Sequence, residues 1–186
     1  MRDSFHDDLD GIGVSLIEMG HLVSKAMQRA TTALLTADLK IAEEIISEDD
    51  AIDAMQHDIE ARAINLMARQ QPVAGDLRTL VTSLRMSADL ERMGDLAHHV
   101  AKLTRMRYPA SAVPPELVLT LQEMGNITNR ITDKAISVIE SRNLEAALQL
   151  EKDDDEMDIL HRRLFEILLD DSWPYGIETA IDMTLL

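Results

Sequence analysis

The chain contains no cysteine. That excludes disulfide staples, thiolate metal sites and cysteine nucleophiles together. Aromatic residues number only five, and glycine and proline are scarce at seven and five. Few aromatics and few turn-formers leave little material for sheets or for long loops. Positive charge is also short: 18 Lys and Arg stand against 34 Asp and Glu, a formal net charge of −16. A chain so acidic lacks the cationic face that nucleic acid requires, and it is repelled by an anionic bilayer. No run approaches the ~18 apolar residues of a membrane span. The first residues, Met1-Arg-Asp-Ser-Phe-His-Asp-Asp, lack the apolar centre of a signal peptide. The expectation is a soluble cytoplasmic protein whose partners are cations and basic protein surfaces.

What is present is helical period. Leu9, Ile12, Leu16, Met19, Val23, Ala26, Ala30 and Ala33 recur at three- and four-residue steps, predicting a first helix over about 4–36. Asp38 reads as the cap of a second helix carrying Ile41, Ile45, Ile52, Met55, Ile59 and Leu66. Pro72 ends that helix, and a third runs from about Gly75 to Arg107. Three of the five prolines fall between Tyr108 and Pro115, which marks a boundary. Further helices are expected at about 115–141, 143–171 and 174 to the end. The fold class is all-α: a three-helix bundle over 1–107, a Pro-rich linker over 108–115, and a second bundle over 116–186.

The halves repeat. Glu18-Met19-Gly20 returns as Glu123-Met124-Gly125, Asp38-Leu39 as Asn143-Leu144, and Asp49 and Asp53 as Asp154 and Asp158, each 105 residues later. Three matches in one register indicate duplication of a three-helix unit.

Two acidic pairs stand out from the surface charge. On the third helix the stripe Leu77, Leu80, Leu84, Ala88 continues into Glu91 and Asp95, so the period places acids where it calls for hydrocarbon. Spacing of i, i+4 sets both carboxylates on one face. On the second helix Asp49 and Asp53 form a similar pair. Asp53 lies 19 residues before Pro72 and Glu91 lies 19 after it, so antiparallel packing brings the pairs level. Four converging carboxylates make an oxygen-rich site for a hard cation such as Mg, Mn or iron. For each pair alone a salt-bridged or solvated arrangement stays open, with Arg85 and Arg92 as partners. His98 with Asp95 forms one acid-x-x-His pair, whereas a ferritin-like di-iron centre needs two. The 11 Met residues fall at core spacing.

The run Arg69-Gln-Gln-Pro-Val-Ala-Gly-Asp-Leu-Arg78, followed by Ser87-Ala-Asp-Leu-Glu-Arg-Met-Gly-Asp-Leu-Ala97, resembles the PhoU family of phosphate-signalling regulators across nearly the whole chain. The resemblance implies two antiparallel three-helix bundles in a cytoplasmic, non-enzymatic regulator. It implies a negative regulator of phosphate uptake and of the phosphate-starvation two-component response. Its partners would be the phosphate ABC transporter ATPase and the sensor histidine kinase, with the membrane reached only through them and a homodimer open. It also implies metal ions (iron, Mg, Mn or Zn) held by acid-x-x-x-Asp motifs: Asp49, Asp53, Glu91 and Asp95 in the first bundle, Asp154 and Asp158 in the second. The sixth-helix counterpart of Glu91 would fall at 191, past Leu186. A shortened last helix and an incomplete second site are therefore expected. The alternatives are a ferritin-like di-iron enzyme and a metal-free helical adaptor.

Overall fold

A computed structural model describes the backbone of residues 2–186 and the side chains from Phe5 onward. The helices are α1 (Arg2–Thr36), α2 (Leu39–Gln70), α3 (Ala74–Arg107), α4 (Val118–Ser141), α5 (Leu144–Leu168) and α6 (Gly176–Thr184), with a 3-10 turn over Pro115–Leu117 before α4. The described residues contain no strand, so the all-α expectation holds. At 1.5 Å per residue, the 35 residues of α1 make a rod about 50 Å long.

Local chemistry sets the boundaries. Ala37 adopts a left-handed conformation (φ 50°), and the Asp38 carboxylate then accepts from the Ile41 amide at 3.0 Å, opening α2. The same device recurs 105 residues on. Arg142 is left-handed (φ 54°), and Asn143 accepts from the Glu145 and Ala146 amides at 3.0 and 3.2 Å, opening α5. Pro72 occupies the connection between α2 and α3, which is too short for anything but antiparallel packing.

Helices α1, α2 and α3 pack on one another, α4 packs against α1, and α5 against α4. The α1–α4 contact is reciprocal. A Cβ on Gly20 would lie 2.7 Å from Ile136 Cγ1, and a Cβ on Gly125 would lie 2.5 Å from Thr31 Cγ2. Glycine 125 is 105 residues after glycine 20, and Ile136 is 105 after Thr31. The two contacts are therefore one contact seen from each repeat, as in an isologous dimer interface. Ion pairs follow the same operator: Arg29–Glu48 ties α1 to α2, and Lys134–Asp153 ties α4 to α5.

Two apolar clusters fill the interior. One lies within α1–α3 around Ile12, Met19, Val23, Ile59 and Leu80. The other joins the ends of α1, α2 and α3 to Ala112, Val113, Leu117, Leu164 and Met183. The Pro-rich segment thus contributes buried residues to a core that both halves share. In α3 the buried line runs through Leu80, Ser83, Ser87, Leu90, Gly94 and Ala97. This corrects the expected stripe: Leu77 is 40% exposed and Ala88 is exposed. Gly94 is on the buried line because Ile52 of α2 sits against it, with Cδ1 3.1 Å from where a Cβ would be.

The short α6 docks on the second apolar cluster through Ala180 and Met183, and Leu186 just past its end joins them. Arg107 Nε donates to Asp182 at 2.6 Å, and Nη1 donates to Glu178 at 2.9 Å. Asp182 is the one buried charged residue among the described residues, and these bonds hold the Arg107 guanidinium pKa above its ordinary value. Asp182→Ala is expected to loosen α6 selectively. Its amides and those near Trp173 should exchange roughly tenfold faster by hydrogen exchange, with α1–α3 unchanged.

Candidate metal centre

The antiparallel register of α2 and α3 places Asp53, Glu91 and Asp95 together. One carboxylate oxygen from each lies within 4.8 Å of the others. Oxygens bound at 2.0–2.6 Å around a single hard cation are separated by no more than about 5 Å, so the cluster has the span of one coordination sphere. Asp53 and Glu91 are half-buried and Asp95 is exposed, which leaves the site an open side for further ligands.

Among the described residues no ion pair links Arg85 or Arg92 to these acids. Partial burial raises the Asp53 carboxyl pKa, and the charges of Asp49, Asp95 and Asp50 raise it further. Glu91 is raised in the same way, first by burial and then by Asp95, Asp53 and Asp49. His57, whose Nδ1–H donates to the Asp53 carbonyl at 2.8 Å, opposes both shifts. The donor set is all oxygen, which suits Mg, Mn, Ca or iron better than thiolate-seeking metals.

The sign of the pH dependence follows. A carboxyl whose pKa is raised by folding binds protons more readily in the native state, so its charged form opposes folding. The chelated protein is expected to gain thermal stability as pH falls from neutral through the raised pKa values. That gain is complete below the ordinary values of 3.8 for Asp53 and 4.5 for Glu91. The loaded protein should show the opposite slope, because protons compete with the cation for the same oxygens. Melting curves from pH 7.5 to 5, with and without chelator, check this.

The fourth acid of the first bundle lies slightly apart. Asp49 is one turn before Asp53 on α2, and its carboxylate is hydrogen-bonded to His98 Nδ1 on α3. Both side chains are largely buried, and His98 Nε2 has no hydrogen-bond partner. Sequence spacing alone associates His98 only with Asp95. The signal for its real neighbour was the Pro72 register, which sets residue 49 nearly level with 98 as it sets Ile52 against Gly94. In the second bundle Asp154 and Asp158 are exposed on α5. No third acid joins them among the described residues. The neighbouring Asp153 pairs instead with Lys134, which pulls its pKa down. The nine-residue α6 stands beside Leu164 and Leu168, about 15 Å along α5 from Asp154.

Comparison with known proteins agrees with the fold. The PhoU domain model matches residues 16–104 and 121–185. The chain is 44% identical, over 186 residues, to the phosphate-specific transport system accessory protein PhoU homolog 2 of Mycobacterium tuberculosis. That alignment covers the whole of this chain and 87% of the relative. It is 42% identical to the PhoU homolog 1 of Mycobacterium leprae, covering all of this chain and 84% of that one. The crystal structure of PhoU from Pseudomonas aeruginosa superposes with a TM-score of 0.86 at 26% identity, over 97% of this chain and 87% of that one. The phosphate transport system regulatory protein PhoU from Streptococcus pneumoniae gives 0.84 at 26% identity, over 97% and 85%. With matches to both halves of the repeat and over the full chain, this protein belongs to the PhoU family, whose named members are accessory and regulatory proteins rather than enzymes.

Proposed function

We propose that this protein is a cation-loaded regulatory adaptor of phosphate uptake. In this reading it restrains uptake and the phosphate-starvation two-component response. It does so by contact with the ATPase of the phosphate ABC transporter and with the sensor histidine kinase. The observation that carries the reading is the convergence of Asp53, Glu91 and Asp95, with no Lys or Arg ion-paired to them among the described residues. A bound Mg, Mn or iron ion would cross-link α2 to α3 and stiffen the bundle that it bridges. Asp53, Glu91 and Asp95 would hold the ion. Asp49 would add charge from one turn away, held by His98. The relatives' names, accessory proteins of a phosphate-specific transport system, supply the pathway. Among the described residues no helix is long and apolar enough to cross a membrane. In this reading the protein works from the cytoplasm and meets the membrane through its partners.

The test is complementation. In a strain lacking the gene, phosphate uptake and a starvation-response reporter are measured at high phosphate. The wild-type chain should restore repression, and the Glu91→Ala/Asp95→Ala variant should not. Elemental analysis of wild-type protein from metal-supplemented medium should find bound metal. A metal-free wild type removes the cation from the proposal, and an unrepressed reporter removes the regulatory role.

A further inference from the structure

We propose that the hollow between α1, α2 and α3 beside Lys25 is a binding site for a small molecule that joins a carboxylate to an apolar body. The hollow measures about 220 Å³. Leu22, Ala26, Ile45 and Ile52 supply its apolar wall, and Gly94 of α3 adds no side chain to fill it. Lys25, Arg29, Glu48 and Asp49 stand around it. Three of these charges are committed. Arg29 pairs with Glu44 and Glu48, and Asp49 is held by His98. Lys25 has no carboxylate partner among the described residues.

An unpaired lysine is ordinary on a surface. The internal repeat is what makes this one informative. At the 105-residue offset Lys25 corresponds to Arg130, Arg29 to Lys134, Glu48 to Asp153 and Asp49 to Asp154, so the rim carries the same charges in both repeats. Two positions differ in size: Ala26 corresponds to Ile131, and Ala51 to Glu156. In the second repeat Lys134 pairs with Asp153, and Arg130 pairs with Glu156. The first repeat keeps the Arg29–Glu48 pair but has Ala51 in place of the second acid, and Lys25 borders a hollow instead. Relative to its copy it lacks one branched aliphatic group and one carboxylate. A ligand with both would restore the ion pair and cover the apolar wall. The acids of the rim do not forbid this, because Asp153 and Asp154 hold the same positions beside Glu156. Size agrees as well. A cavity of ~150 Å³ takes benzene, so about 220 Å³ takes roughly eight or nine non-hydrogen atoms. An inorganic anion would leave the aliphatic wall uncovered, and a neutral hydrocarbon would leave Lys25 unpaired.

The site depends neither on the adaptor reading nor on the cation. It is tested by titrating the full chain with hexanoate, once with Mg and once with chelator, while the Ile, Leu and Ala methyl signals are followed by NMR. Saturable shifts are expected at Leu22, Ile45 and Ile52, with a Kd of about 1 mM in both conditions. Hexanamide has the same shape without the charge and should bind about tenfold more weakly, since only the carboxylate makes a charged pair with Lys25. In Lys25→Gln the two probes should bind alike. Lys25 is exposed, so this replacement leaves the core intact. Ala51→Glu writes the second repeat's pair into the first and should weaken hexanoate about tenfold or more by competing for Lys25. Unchanged helicity and a Tm no lower than that of wild type show that this variant folds. No shift at these methyls at tens of millimolar hexanoate would overturn the proposal. So would equal affinities of the two probes for wild type, or hexanoate binding indifferent to Ala51→Glu. Shifts that require Mg would also overturn it, because the carboxylate would then sit on the cation. None of these results touches the regulatory role, which the starvation-response reporter measures.

Discussion

Alanine at both Glu91 and Asp95 is expected to abolish cation binding in the first bundle, lowering affinity by more than about 100-fold. Three carboxylates supply the cluster, and two of them come from α3. Asp53 alone cannot span a coordination sphere, and Asp49 is turned to His98. Competition between the protein and a chromophoric chelator for Mn measures the loss. The same variant should reverse the order of stabilities. At 100 times the dissociation constant, a cation stabilises the wild type by about 2.7 kcal/mol, a rise in Tm of roughly 5–10 °C for a chain of this size. The variant should not respond. Without metal the order inverts: removing two acids relieves the repulsion that raises the Asp53 pKa, so the chelated variant should melt above the chelated wild type. Equal Tm values in chelator would mean that the acids do not repel one another. Equal Mn affinities would mean that the cation, if any, binds elsewhere.

Much of this site could be read from the sequence because one proline fixed a register. With Pro72 between two helices, counting outward from it paired Asp53 with Glu91 without any knowledge of side chains. The caps at Asp38 and Asn143 and the apolar stripes of α1 and α2 were legible for similar local reasons. The α3 stripe was not. Its core line includes Ser83 and Ser87, and further on Thr104. Such hydroxyls are buried cheaply when they bond back within their own helix. Ser87 donates to the Leu84 carbonyl at 2.9 Å and Thr104 to the Val100 carbonyl at 3.1 Å. Hydropathy counts them as polar, which moved the expected stripe to the rim and made Glu91 and Asp95 look more deeply placed than they are. The preference of Asp49 for His98 and the exposure of Asp154 and Asp158 depend on side-chain direction and on where α6 docks. Neither is encoded in local period.

Alanine at Gly20 and alanine at Gly125 are each expected to destabilise the fold by about 1–2 kcal/mol, the range of mild overpacking. The sign is what makes this informative. In an exposed helix interior, glycine to alanine is worth roughly 1 kcal/mol in the other direction. Here the added Cβ would lie 2.7 Å from Ile136 Cγ1 in the first case and 2.5 Å from Thr31 Cγ2 in the second. Both are far inside the ~3.5–4.0 Å of favourable carbon contact. Neither neighbour yields easily: Ile136 is buried, and the Thr31 hydroxyl is tied to the Met27 carbonyl at 3.0 Å. Because the 105-residue repeat relates the two contacts, the losses should be similar. Each should couple only to its own partner. Thr31→Ala is expected to rescue Gly125→Ala by most of its cost and to leave Gly20→Ala untouched, since residues 20 and 31 are about 16 Å apart along α1. Urea unfolding of the three singles and two doubles measures all of this. A stabilising Gly20→Ala would mean that α1 and α4 do not meet at these glycines. A Thr31→Ala that rescued both would mean that the helices adjust as a whole. Rescue confined to the paired site is the signature of an internal two-fold contact, in which one ancestral pair is used twice.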